Sequence, residues 1–259
     1  MALINPPALR RLRLGTGLVL FAYATCHLLN HAFGIRSIEA MDAAGDLLLD
    51  PWQSPPGLVV LYTALLLHAG LGLRAFWRRR HLRIPFLEKA QLVLGLSIPL
   101  LLIAHAAAIR YAETVYDLPV GFDRVVYQLW VVAPGFGAPR QTLLMIVVWL
   151  HGCIGMRNWL RTWPWYPLAV PTLTALATLV PVLAVIGFVN AGLDMRALAQ
   201  ASPDLLPSHV FDIQGSEQAR KFADVGRFVD RLTLGYVVLL GGIIALRSAR
   251  DWHSTRFRA

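Results

Sequence analysis

The sequence predicts an all-α fold: a polytopic membrane bundle of six transmembrane helices with both termini cytoplasmic. Three observations predict it. Of the 259 residues, 56% are hydrophobic and 15% charged, with a mean hydropathy of +0.55, the composition of a chain solvated by lipid rather than of a soluble globule. Apolar stretches near the length of about 20 residues that a helix needs to cross the hydrocarbon core recur six times. Arginines collect at the ends of these stretches, where they set topology and meet anionic headgroups. The net charge of +9 is therefore no sign of nucleic-acid binding.

The spans fall at about residues 14–35, 57–77, 89–110, 141–161, 166–189 and 228–247, and one transmembrane domain fills residues 1–259. The segment before the first span, MALINPPALRRLR, leads straight into an apolar stretch and lacks a small-residue cleavage site, so that span is expected to stay in the mature protein. With the N-terminus inside, residues 1–13, 74–89, 157–163 and 247–259 hold 15 of the 24 Lys and Arg, and only Glu88 and Asp251 of the acidic residues. That bias fixes the orientation as inside for both ends. The apolar run Val125 to Ala133 is too short to cross and is expected at the interface. Pro99, Pro171 and Pro181 are expected to kink their helices. A polar connection from about Asn190 to Arg227 is expected outside, with a short surface helix near Ser216 to Val225. No internal repeat is visible.

Chemistry is sought at the histidines, because ionisable side chains at bilayer depth are costly and face a bundle interior or a functional site. Five lie in apolar segments: His27 and His31 in the first span, then His68, His105 and His151 in the next three. Counted from the cytoplasmic end at about 1.5 Å per residue, His68 and His151 lie roughly 13 and 15 Å deep, in one plane. His105 lies roughly 25 Å deep, with His27 near 20 Å and His31 near 25 Å, so one of the first-span pair meets His105 in a second plane. Two planes with one ligand from each of four helices suit two bis-histidine haems.

His68 and His151 each begin an H-x-x-x-G, which sets Gly72 and Gly155 one turn further along the same face. A porphyrin can lie close to the backbone there, although small residues also serve plain helix packing. Zinc or iron-sulfur chemistry would want thiolates or carboxylates beside the imidazoles. No Asp or Glu lies near the middle of the first four spans, and Cys26 and Cys153 sit at different depths on separate helices. C-x-x-C-H is absent, so a haem held here would be b-type. Arg110 is placed to pair with a haem propionate or to snorkel at the boundary. Asn30 and the unligated one of His27 and His31 form a candidate quinone contact, with a helix cap as the plainer role of Asn30. Tyr23, Trp130, Trp149, Trp159, Trp163 and Trp165 are expected as interface or packing aromatics.

The run Ala24-Thr-Cys-His-Leu-Leu-Asn-His31, the two H-x-x-x-G segments, Ile103-Ala-His105 and the Trp159-Leu-Arg that follows His151 resemble the membrane anchor of bacterial class III adenylate cyclases. That anchor is itself similar to the di-haem cytochrome b subunit of succinate dehydrogenases and fumarate reductases. The resemblance covers all six spans and is strongest in the first four. It implies two haems b, with His27 paired to His105 and His68 to His151. It also implies a redox-responsive sensor in the bacterial inner membrane, exchanging electrons with quinone, joined in cis to a cytoplasmic cyclase domain and compatible with a homodimer.

The sequence ends about a dozen residues past the sixth span, so cyclase activity is expected from a domain outside these 259 residues and no catalytic residue is assigned within them. The alternative from the same resemblance is the cytochrome b subunit of a respiratory complex, docked to iron-sulfur and flavin subunits. Five-span respiratory subunits that begin inside end outside, whereas six spans return the C-terminus inside. A haem-free transporter with a histidine proton relay would need polar residues leading to both surfaces, and the inner path has none.

Overall fold

The computed structural model describes residues 6–79, 83–118, 121–202 and 216–256, and every described element is helical. Helix α1 (Pro6–Ala32) runs into a single 3-10 turn at Phe33–Ile35, followed by α2 (Ile38–Leu48), α3 (Asp50–Gln53) and α4 (Pro55–Arg78). Helix α5 (Phe86–Leu102) continues through a π-helical turn (Ile103–Ala107) into α6 (Ala108–Tyr116). After α7 (Phe122–Tyr127), itself extended by a π-helical turn (Gln128–Val132), come α8 (Gly137–Leu160), α9 (Tyr166–Ala201) and α10 (Ser216–Arg256). Six of these helical stretches are long and apolar enough to cross a membrane: Pro7–Ile35, Pro55–Arg78, Phe86–Tyr116, Gly137–Leu160, Tyr166–Ala201 and Ala219–Trp252. Each contains one of the expected spans or matches it to within a few residues.

Local chemistry sets the helix ends. Ser37 caps α2 by accepting from the Ala40 amide at 3.1 Å, and Ser54 caps α4 by accepting from the Gly57 amide at 3.3 Å, with Pro55 and Pro56 following in the first turn. Helix α6 stops at Asp117, whose φ of 50° is left-handed and whose amide donates to Ala112 O. Aspartate tolerates that region better than most residues. At this end of the bundle, burial together with Asp123, Glu39 and Asp46 raises the Asp42 carboxyl above its ordinary range.

The core lies where α1, α8 and α9 meet. Leu28, Met145, Trp149, Ala184 and Phe188 form it with Leu129, and Met41, Val126, Ala191 and Met195 extend it toward α2. The run from Val125 to Ala133 packs one side against this core, with Val126 and Leu129 buried and Val132 exposed. Helix α1 and the turn after it touch α9 backbone to backbone, since a Cβ on Gly187 would overlap His31 O and one on Gly34 would lie 2.5 Å from Gly187 O. Such close approach by small residues is a common way for membrane helices to associate.

The polar connection expected from Asn190 to Arg227 is largely helix. Helix α9 carries on through Asn190 to Ala201, and Ser216 to Val225 is the start of α10 rather than a separate surface helix; residues 203–215 lie outside the described ones. Polar composition marks where a span leaves lipid, but good helix formers let the helix continue into water. Thus α9, with 36 residues, is about 54 Å long.

Helix α10 is poorly covered and is fastened to the bundle by polar contacts at three heights. Near its start, Tyr111 and Tyr116 both donate to Asp224 Oδ2, at 2.8 and 2.7 Å. Midway, Tyr236 donates to Leu96 O at 2.7 Å. Toward its end, Arg250 donates to Trp77 O at 2.8 Å and Arg79 O at 3.2 Å, closing off the carbonyls that end α4, and Arg247 lies over the Phe76 ring. Arg250→Ala is expected to cost about 1–2 kcal/mol, read as faster hydrogen exchange in the last turns of α4 and α10; unchanged exchange in both would show the latch to be slack. Because Arg13 of α1 also lies near Arg79, the first and last helices share one arginine-rich end of the bundle.

Candidate functional site

Helix α1 packs along α4, and α5 along α8. His68 of α4 faces His151 of α8 with ring centroids 6.2 Å apart and ring planes at 89°. His27 of α1 faces His105 in the π-turn of the third span with centroids 6.0 Å apart and planes at 51°. Each of these four helices supplies one imidazole to a facing pair. Counting along α1 from Gly17, which touches His68, to His27 places the two pairs about 15 Å apart.

The His68/His151 pair is held by one device used twice. His68 Nδ1 lies 3.1 Å from Arg13 O, and His151 Nδ1 lies 3.0 Å from Gln91 O. A carbonyl only accepts, so each Nδ1 carries the proton and each Nε2 keeps its lone pair free. Four residues after each carbonyl stands a glycine. A Cβ on Gly17 would lie 2.9 Å from His68 Cε1, and one on Gly95 would lie 2.7 Å from His151 Cε1. The glycines open the helix flank just where a ring must reach the backbone of its neighbour. Ten residues beyond these glycines, on the same two helices, come His27 and His105. The order carbonyl, glycine, histidine is thus repeated in α1 and α5, while α4 and α8 repeat the H-x-x-x-G.

Gly72 and Gly155 do not form those cradles. A Cβ on Gly72 would meet nothing within 4 Å, whereas one on Gly155 would lie 3.1 Å from Gln91 Nε2. Space beside Gly155 is taken up by the Gln91 side chain, which accepts from Asn158 Nδ2 at 3.1 Å. Gly17 and Gly95 are the functional positions that sequence reasoning missed, and the twice-repeated Gly-x9-His was the available signal.

At the His27/His105 pair the surroundings are aromatic and the polar atoms lack partners. Tyr23 and Phe122 stack on His27 at 5.7 and 6.4 Å. His31 lies edge-on to His27 at 4.8 Å, between Phe122 and Phe188. Both ring nitrogens of His27 and of His31, and both side-chain polar atoms of Asn30, are buried without a hydrogen-bond partner. Asn30 is 0% exposed, so it is not a helix cap at a water boundary. Buried polar atoms left unpaired are costly, most of all in a membrane interior.

The depth count placed His31 level with His105, but the structure sets His27 opposite it. Two physical reasons explain the difference. Helix α1 begins well before residue 14 and α5 before residue 89, which displaces both origins of the count. The π-turn holding His105 also adds a residue without the usual advance along the axis. It follows shortly after Pro99, which cannot donate to the preceding turn.

Arg110, expected near a propionate, bonds Glu113 Oε2 at 2.8 Å. Trp130 lies in the core against Phe188, and Trp149 donates to Ala177 O at 2.7 Å. Cys26 and Cys153 are both free. Among the described residues no three of His, Cys, Asp and Glu converge on one point, so the ligand sets on offer are the histidine pairs.

These pairs pass a simple fit test. Two imidazoles bound to one metal through Nε2 from opposite sides, at about 2 Å per bond, hold their ring centroids about 6 Å apart. The observed separations of 6.0 and 6.2 Å match. A metal-bound histidine also commonly gives its other N–H to a carbonyl, as His68 and His151 do. Fold and site together define a multi-pass α-helical membrane protein with two facing imidazole pairs in its interior. Comparison with known proteins finds no matching family, no matching curated protein and no matching solved structure.

Proposed function

We propose that this chain is a di-haem b-type membrane cytochrome serving as the redox- and quinone-responsive anchor of a class III adenylate cyclase. The observation that carries the haem assignment is the pair of imidazole couples at 6.0 and 6.2 Å, one of them with both Nδ1 atoms engaged by backbone carbonyls. His68 and His151 would hold the haem nearer the arginine-rich end, His27 and His105 the other. Haem b ligated on both faces supplies a one-electron couple without an open position for oxygen. Arg13 O and Gln91 O fix the rings of His68 and His151 and keep each Nε2 unprotonated, while Tyr23, Phe122 and Phe188 surround the first-span histidines with aromatic rings. His31 and Asn30 offer unpaired donors and acceptors to a quinone headgroup beside His27.

In this reading the arginine-rich end faces the cytoplasm, in the inner membrane of a bacterium, with lipid covering the outward faces. Two findings favour a cyclase anchor over the cytochrome b subunit of a succinate dehydrogenase or fumarate reductase. Six helices long and apolar enough to span would return both ends of the bundle to one side, and the last helix is clamped by Arg247 and Arg250 to the helix that bears His68. A change in packing around His68 therefore has a direct route into the segment that leads to an effector. A homodimer would bring two such segments together.

A reduced-minus-oxidised optical spectrum of the purified protein tests the class. A sharp b-type difference spectrum is expected, and a featureless one would leave a histidine-bearing transporter as the better account. Because His68 and His151 are locked by their Nδ1 bonds, their planes stay near the observed 89°. The haem lost in His68→Ala should therefore be the one with the more anisotropic low-spin electron paramagnetic resonance signal; equal anisotropy of both haems would contradict the locking. For the anchor role, a fusion to the cyclase domain is assayed in membranes poised oxidised and reduced. Redox-dependent activity that disappears in His68→Ala and His105→Ala is expected, since a signal needs a differential effect on two packing states. Identical activity at both poises would reduce the domain to a passive anchor.

A further inference from the structure

We propose that Arg140 binds a carboxylate of the ligand in the His27/His105 site, an inference that rests on the haem reading of that site. Arg140 stands in the first turn of α8, where no acidic side chain answers the positive end of the helix dipole. Its Nε is buried without a hydrogen-bond partner, and its guanidinium lies 5.6 Å from the centroid of Phe136. Among the described residues no carboxylate pairs with it. A half-buried guanidinium with its Nε unpaired, standing at the positive end of a helix dipole that no acidic side chain answers, favours an anion beside it. The anion belongs at the histidine site because α5 and α8 pack together with His151 of α8 against Gly95 of α5; eleven residues back along α8 bring Arg140 about 16 Å from His151, level with His105, ten residues or about 15 Å beyond Gly95. Arg110, the other arginine at this end of the third span, is already engaged by Glu113.

A guanidinium binds carboxylates with two parallel hydrogen bonds, and a porphyrin ligated by His27 and His105 brings two carboxylates on one edge. The guanidinium therefore orients that edge toward the start of α8. A phospholipid headgroup offers similar oxygens, so the test separates the two sources.

The full chain is purified as wild type, Arg140→Gln, Arg140→Lys and Arg110→Gln. The haem missing from His105→Ala identifies the relevant redox step. Removing a nearby positive charge favours oxidised iron, so Arg140→Gln should lower that haem's potential by at least a tenfold change in its reduction equilibrium, 59 mV for one electron. The other haem should be unchanged. The propionate bending band in the resonance Raman spectrum should move with it, Arg140→Lys should restore most of the potential, and Arg110→Gln should alter neither haem. An Arg140→Gln protein with both haems, unchanged potentials and an unchanged propionate band overturns the proposal, and loss of bound anionic phospholipid in that variant assigns the guanidinium to lipid instead. If Arg140→Gln loses the haem altogether, Arg140→Lys decides: a displaced propionate band supports the contact and an unaltered one overturns it. A wild-type protein without haem overturns both this proposal and the site reading beneath it.

Discussion

His68→Ala and His151→Ala are each expected to remove one haem, the same one, and leave the other in place. Each substitution takes away one of two axial bonds at a site whose remaining imidazole is held on a neighbouring helix, His151 by Gln91 O or His68 by Arg13 O. The survivor cannot move to compensate, because its Nδ1 is engaged and its Cε1 rests on a glycine flank. His105→Ala should remove the other haem, as should His27→Ala, whose ring faces His105 at 6.0 Å. His31→Ala should retain both haems and instead alter quinone response. Haem content of the five variants, resolved by redox titration, is the check. Retention of both haems in all five, or loss of haem in His31→Ala but not in His27→Ala, would contradict the assignment.

The second large effect is expected from a position with no chemistry of its own. Gly95→Val should empty the His68/His151 site nearly as completely as His151→Ala. A β-carbon there would stand 2.7 Å from His151 Cε1, inside van der Waals contact, and valine adds two methyl groups on a stiff χ1. The ring must leave its bond to Gln91 O and swing its Nε2 out of line with His68. Gly17→Val acts on His68 in the same way. Gly72→Val, facing open space in the structure, separates two ideas: loss of the haem there would show that the porphyrin itself occupies that space, while unchanged content would leave Gly17 and Gly95 as the decisive glycines. Full occupancy in both Gly17→Val and Gly95→Val would contradict the cradle.

The six spanning helices were legible because hydrophobic length is a one-dimensional signal that survives any packing arrangement. The His68/His151 pairing was legible for the same reason, since depth on a straight helix follows residue count. Choice between His27 and His31 was not, because it turns on helix starts and on a π-turn that changes the register at His105. Gly17 and Gly95 escaped notice because they lie on the helices opposite their histidines, and a pattern read along one helix favours Gly72 and Gly155. Arg140 escaped because what marks it is a buried Nε left without a partner in the folded bundle, whereas Arg110 drew attention by its nearness in sequence to His105 and then pairs with Glu113. The extension of α9 and α10 beyond their apolar stretches reflects a similar gap. Composition reports where lipid ends, and backbone hydrogen bonding decides where the helix ends.

Two facing imidazole pairs as two haem sites are the centre of this account, and haem quantitation on the purified wild-type chain, by pyridine haemochrome against protein mass, tests them most directly. Two haems b per chain, both low-spin in oxidised and reduced states, are the predicted result. A ratio near one would leave only one pair as a haem site, and a ratio near zero in membranes supplied with haem would contradict the account.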